Sequence, residues 1–358
     1  MERVYIILGL TPQGLALLRE LGKAGAKVFA FCTSKRNVGY HSKYGVKKCY
    51  STVNELKNLI NEIISEYKTK PICYISSGEI LASVLAEYKN LYDECDVYSG
   101  PYPIIEMLAH KDKMYEYAKS KGLKIAKYRT LDKYSEGDLK YPIFLKRNYE
   151  IPLFFKAVKI NTSEEFNKYN AQIQKEDCQH VIAQEFINIP ASQLMNITCQ
   201  GFFVNGECMG VFIANQTRRL KKGITSYIEE LPQNALTYKI QVLSENFMKE
   251  LKYCGFAEFE FMYDIKNDCL YFVEVNTRTC GLQSVLHHKF TNISDVIINP
   301  SKPTMLKPKL GLIKWMNIQR DIRARIEQKN YSNLGDIFHS CFDIFDWSDL
   351  NPFIRQFI

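Results

Sequence analysis

The sequence lacks the side-chain patterns of the common hydrolytic and zinc chemistries. Its eleven cysteines are scattered over 358 residues with no C-x-x-C pair and no zinc-type spacing, and its six histidines form no metal-ligand pattern. Such thiols read as small buried hydrophobes in a reducing compartment rather than a disulfide framework. No Ser/His/Asp or Cys/His arrangement is legible, so no side-chain nucleophile is a candidate. No window approaches ~18 uninterrupted apolar residues, and no membrane span is expected. The start, Met1-Glu2-Arg3, runs straight into a strand-like segment without a leader, so the expected location is cytoplasmic. Internal repeats, low-complexity tracts and Pro/Gly/Ser-rich linkers are also missing.

What is present is an ordinary globular composition, 46% apolar and 24% charged, long enough for two or three domains. The net charge is +8. Lys and Arg are spread along the chain instead of forming an arm or stripe, and no nucleic-acid motif accompanies them, so nucleic acid is not an expected partner. A basic site for nucleotide phosphates and an anionic substrate accounts for the excess.

Val4–Leu8, the turn Gly9-Leu10-Thr11-Pro12-Gln13-Gly14, a helical run through Leu15, Leu17, Leu18 and Leu21, and Lys27–Phe31 make a β-turn-α-β unit. That unit opens a parallel, doubly wound sheet. Thr11 stands where a dinucleotide fingerprint needs its middle glycine, and Phe31-Cys32-Thr33 offers no acid for a ribose. A redox role is therefore not expected. The sheet continues with Ile72–Ile75, followed by Ser76-Ser77-Gly78-Glu79. Ser77 and Glu79 are either substrate contacts at a strand's carboxyl end or an ordinary turn and helix start.

The most informative stretch is 259–281. Two runs of alternating apolar and acidic residues flank the polar turn Asp264-Ile265-Lys266-Asn267-Asp268, a β-hairpin pattern. With a period of two, Glu258 and Glu260 share one face of the first strand, and Glu274 and Asn276 share one face of the second. Phe259, Phe261, Val273 and Val275 point the other way. A solvated sheet face could carry such acids. Converging carboxylates, however, repel unless a cation lies between them, and a hard ion such as Mg²⁺ suits oxygen donors of this kind.

The order Glu260…Glu274-Val-Asn276-Thr-Arg278 resembles the metal-binding signature of the ATP-grasp superfamily. Further segments resemble the family in sequence order. His110-Lys111-Asp112-Lys113 leads a helix stopped at Gly122, with Lys113 as the matching lysine. Tyr141-Pro142-Ile143-Phe144-Leu145-Lys146 matches P-x-x-x-K, whose lysine faces the nucleotide phosphates. Lys156, with Lys159 as the alternative, matches the second phosphate lysine before Thr162-Ser163-Glu164-Glu165; three residues apart, the two would face opposite ways along a strand. Val181–Ile187 resembles the hinge strand, so Gln184, Glu185, Phe186 and Ile187 would border the adenine or ribose. After a hairpin through Asn205-Gly206 comes Gln216-Thr217-Arg218-Arg219-Leu220-Lys221-Lys222-Gly223, in which Arg218 or Arg219 would meet phosphate or substrate. The tail from Trp315 through Asp321 to Asp343–Phe353 resembles that of the carboxylate–amine ligase branch, D-aspartate ligase-like enzymes among them.

The resemblance implies an α/β protein: a Rossmann-like N-terminal (pre-ATP-grasp) domain over 1–103, a two-lobed ATP-grasp fold over 104–186 and 187–300, and a helical C-terminal extension over 301–358. It implies ATP and Mg²⁺ or Mn²⁺, two ions, held by Glu260, Glu274 and Asn276, with Arg278 and one of Arg218 and Arg219 as catalytic cations. The implied reaction joins a small-molecule carboxylate to an amine through an acyl phosphate. The rivals are another acceptor, such as a hydroxyl or bicarbonate, and a nucleotide-binding protein without catalysis. The His287-His288 pair, just beyond the hairpin, belongs to none of these motifs.

Overall fold

The computed structural model describes residues 3–149, 153–221 and 223–357, with Glu79 described for its backbone alone. The chain divides into two compact units. One comprises Met1–Ile104, Asn196–Phe259 and Val275–Ile358, the other Ile105–Met195 and Glu260–Glu274.

In the first unit, β1 (Val4–Leu8), β2 (Lys27–Cys32), β3 (Val46–Cys49), β4 (Ile72–Ile75) and β5 (Asp96–Val97) form a sheet in the order β3-β2-β1-β4-β5. Its strand pairs are parallel. All five residues of β1 are buried, as a strand covered on both faces requires. Helices Pro12–Lys23, Val53–Tyr67 and Gly78–Glu87 make the crossovers. Each starts on a legible signal: Pro12 in the first turn, and Thr52 and Ser77 as side-chain caps. Gly9 and Gly14 serve packing. Gly9 has φ +101°, and a Cβ on Gly14 would lie 2.0 Å from the Gly9 carbonyl oxygen. The turn glycines therefore let the chain close on itself instead of on a pyrophosphate.

The second unit holds a four-stranded sheet of β6 (Tyr128–Thr130), β7 (Ile143–Arg147), β8 (Ala157–Ile160) and β9 (Val181–Glu185), in the order β6-β9-β7-β8. The strand expected over 153–160 starts only at Ala157; residues 151 and 152 lie outside the described residues.

A seven-stranded sheet follows: β10 (Leu194–Val204), β11 (Glu207–Arg219), β12 (Thr225–Glu230), β13 (Gly255–Asp264), β14 (Cys269–Asn276), β15 (Lys314–Met316) and β16 (Cys341–Phe342). Its order is β14-β13-β10-β11-β12-β15-β16. The turn between β10 and β11 is the expected one, with Asn205 at φ 51° and Gly206 at φ 82°. β11 runs on through Arg218 and Arg219, so these arginines are strand residues and not a loop. The longest element of the C-terminal extension is helix Ile318–Gln328, and β15 and β16 join the extension to the large sheet.

Candidate active site

Alternation along β7 and β9 decides which residues are available for chemistry in the second unit. Ile143, Leu145, Val181 and Ala183 enter a buried core. The antiparallel register sets Phe144 opposite both Gln184 and Lys159, and Lys146 opposite Ile182 and Ala157, so these residues share the other face. There the Lys146 ammonium donates to Gln184 Oε1 at 2.7 Å. Burial and the charge of Lys111 push the Lys146 pKa down to about 8, against the opposing pull of Glu274 and Glu260.

Lys111 opens helix Lys111–Ser120, and its Nζ donates to Glu274 Oε2 at 2.7 Å. Burial works to lower its pKa, but the charge of Glu274, followed by Tyr115 and Glu260, raises it. Glu260 and Glu274 therefore act electrostatically on the same two lysines. The cation that sequence reasoning required beside these acids is here an ammonium group. Among the described residues, no three His, Cys, Asp or Glu side chains are placed to hold a metal ion as they stand. As carboxylate oxygens, the donors of Glu260 and Glu274 nonetheless suit a hard divalent ion.

Lys113 is the match in the sequence, and Lys111 is the lysine that meets Glu274. Helix phase separates them: Lys111 lies four residues before Tyr115 and seven before Ala118, both buried, and shares their face. Lys113 is exposed and borders a surface groove with Glu116, Lys119 and Lys133. The second pair of lysines is divided in a similar way. Lys156 precedes β8, is exposed, and offers its carbonyl to the Arg147 N–H at 3.2 Å. Lys159 lies on the face of Lys146, with Nζ 4.0 Å from the centroid of the Phe186 ring.

At the end of β9, Glu185 points away from Gln184, and its Oε2 accepts from the Lys127 N–H at 3.3 Å. The N–H groups of Glu185 and Phe186 bind the carbonyls of Lys127 and Pro142. The N–H of Ile187 makes no hydrogen bond among the described residues. The Phe144 and Phe186 rings are 5.4 Å apart and wall this corner.

The first unit carries the rest. Glu258, 6% exposed, accepts from Thr198 Oγ1 at 2.8 Å and from Asn276 Nδ2 at 3.3 Å. Asn276 Oδ1 accepts from Arg278 at 3.2 Å. Glu258 thus orients the amide. The Arg278 guanidinium lies over Gly78 so closely that a Cβ there would sit 3.3 Å from its Nε. Arg278 and the carboxyl end of β4 are therefore adjacent. Ser77 caps the helix that begins there, accepting from the Ile80 N–H, and the Glu79 side chain lies outside the described residues.

The two adjacent arginines differ. Arg218 is 8% exposed, binds both carboxylate oxygens of Asp321 (2.8 and 3.4 Å) and Asp336 (3.1 Å), and lies over the Tyr227 ring. Its guanidinium fork is spent on the C-terminal extension. Arg219 donates to the Gly223 carbonyl and to Asn196 Oδ1, and it is half-buried.

No protein-family model and no curated protein sequence matches the chain. Solved structures do. An N5-carboxyaminoimidazole ribonucleotide synthetase in its ADP complex is 13% identical with a TM-score of 0.72, over 92% of this chain and 85% of that one. The Staphylococcus aureus N5-carboxyaminoimidazole synthetase with ADP is 16% identical with a TM-score of 0.69, over 94% and 86%. The fold is the ATP-grasp fold. A third neighbour is the biotin carboxylase domain of the Hydrogenobacter thermophilus 2-oxoglutarate carboxylase, solved with MgADP, ADP and bicarbonate. It is 14% identical with a TM-score of 0.67, over 88% and 74%. At these identities the likeness concerns the fold, and the chemistry rests on the side chains.

Proposed function

We propose that the protein is an ATP-dependent carboxylate–amine ligase. A carboxylate attacks the γ-phosphorus of ATP, ADP leaves, and an amine displaces phosphate from the acyl phosphate to form an amide. The observation that carries this reading is the gathering of Lys111, Lys146, Glu260 and Glu274: two cations for phosphate oxygens beside two carboxylates for a metal. The neighbours solved with ADP, and one with MgADP, support the nucleotide and the ion. Two Mg²⁺ or Mn²⁺ ions on Glu260 and Glu274, with Asn276 two residues on along β14, would supply charge neutralisation of the phosphates.

The chain's own groups do the remainder. Lys146 and Lys159 hold phosphate oxygens from one sheet face, Phe144 and Phe186 pack the base, and the unspent Ile187 N–H donates to its edge. Lys111 balances Glu274 until the nucleotide arrives. Arg278, oriented through Asn276, stabilises negative charge developing on the acyl oxygen, and Arg219 meets the substrate. Arg218 is left to structure. The proposed setting is amidation of cell-wall, surface-polysaccharide or small-metabolite acids, in the manner of D-aspartate ligases.

The test is release of ADP and orthophosphate with candidate amino acids and uronic acids, each with and without amines, and products read by mass spectrometry. Release that requires both partners supports the ligase. The bicarbonate in one neighbour favours a second reading, in which bicarbonate is the activated acid, and release with bicarbonate alone would favour it.

Lys146 makes nucleotide affinity pH-dependent. Its ammonium is charged below about 8 and neutral above, and a polyphosphate favours the charged form. Binding should therefore take up protons, and ADP affinity should fall as pH rises from about 7 to about 9. Lys146→Arg, charged throughout, should flatten the profile. A wild-type affinity constant over that range in calorimetry would remove Lys146 from the phosphates.

A further inference from the structure

The His287-His288 pair takes no part in that reading, and it borders a cavity of about 640 Å³ within the first unit. The walls are helix Pro12–Lys23, helix Ser284–Lys289 and the segment 340–348. None of its lining residues is a nucleotide, metal or catalytic candidate. The volume lies in the range of small-molecule sites, ~300–1,000 Å³. Leu17, Ile293, Ile297 and Phe342 make much of the wall apolar.

Its cations are already engaged. Arg19 Nε is 3.0 Å from Asp349, and Lys23 Nζ is 2.6 Å from Asp346. Two more carboxylates, Glu20 and Asp343, line the wall. Glu20 is 7% exposed and has His287 Nδ1 at 2.6 Å and Ser294 Oγ at 2.7 Å. Burial opposes its ionisation, but these two bonds and the charge of His287 hold its pKa below the ordinary value. Asp343, 4% exposed, accepts from Asn317 Nδ2 at 2.5 Å and from the backbone N–H groups of Ile344 and its own residue, and makes no ion pair among the described residues; burial outweighs these bonds and the nearby charge of Arg320 and raises its pKa to about 6. The neighbouring His288 supplies no charge at neutral pH, since burial pushes its pKa down to about 4. With Nδ1 of His287 committed to Glu20, its Nε2 makes no hydrogen bond among the described residues. Trp347, 80% exposed, and Phe345 add an aromatic rim with ring centroids 4.8 Å apart.

We propose that this cavity binds a small organic amine, a protonated nitrogen on an apolar or aromatic body. The ammonium would lie among Glu20, Asp343 and the Trp347 indole, whose face attracts cations, and the body would cover Leu17, Ile293 and Ile297. An anion would be repelled by Asp343, and a neutral ligand would leave that carboxylate buried without an ion pair.

Calorimetry on the full chain with phenethylammonium tests this, with phenylacetate and 2-phenylethanol as controls of nearly equal shape. The amine should bind at least about tenfold more tightly than either control. Trp347→Ala, which removes an exposed ring, should weaken it severalfold, and Ile293→Trp, which fills the cavity, should abolish it. Thermal melting checks that Ile293→Trp folds; if it does not, Trp347→Ala decides. Tighter binding of phenylacetate, equal binding of all three, no binding of the amine, or an undiminished affinity in the Trp347→Ala protein would each overturn the proposal.

Discussion

Glu274→Gln should lower ATP turnover by roughly two to three orders of magnitude, the scale on which one charge-stabilising group acts at a developing charge. The change is nearly isosteric and leaves β14 its hydrogen-bonding backbone, so the fold should persist. It removes the anion that holds Lys111 at 2.7 Å, and it removes a hard ligand from the proposed metal site. The effect on stability is far smaller. Lys111 and Glu274 are 27% and 30% exposed, and a pair so placed contributes about 1 kcal/mol or less. A coupled ADP-release assay run beside thermal melting separates the two quantities. Wild-type turnover in a folded Glu274→Gln protein would end the metal assignment. Unchanged melting with lost turnover would place the carboxylate in the chemistry and not in the scaffold.

The largest loss of stability should come from Asp321→Ala. Asp321, 2% exposed, is gripped by Arg218 through both oxygens, by Arg325 Nε at 2.7 Å and by Ser226 Oγ at 3.2 Å. Its removal leaves two buried guanidinium groups short of charge, a defect that costs about 3–5 kcal/mol. Denaturant unfolding should show a lowered midpoint for the first unit. Arg218→Leu should cost less, since Arg325 still neutralises Asp321 and the leucine side chain replaces part of the buried area. If Asp321→Ala unfolded at the wild-type midpoint, the cluster would be ornamental. If instead Arg218→Leu kept its stability and lost turnover, Arg218 would return to the substrate.

Strand faces were legible because β-strand parity is a local property. Lys146 and Gln184 were candidates through the family resemblance, and alternation puts each on the face opposite its apolar neighbours. The Asn205-Gly206 turn and the parallel opening unit were legible for the same reason: each depends on residue types within a few positions. The lysines are where local reading stops. Helix phase puts Lys111, not Lys113, on the face of Tyr115 and Ala118. Which of Lys156 and Lys159 shares the face of Lys146 depends on where β8 begins, and a strand's start is set by its partner in the sheet rather than by its own residues.

From the sequence alone follow the α/β class and the acidic hairpin, since these rest on periodicity and spacing; the ATP-grasp order of motifs rests on resemblance to a known family. Only the tertiary structure decided how the charges are matched. It gave Glu274 to Lys111, Asp321 to Arg218, Asn276 to Glu258 and Glu20 to His287, all partners distant along the chain. Charge pairing depends on separation and on the water excluded around it, and neither quantity exists until the chain has folded.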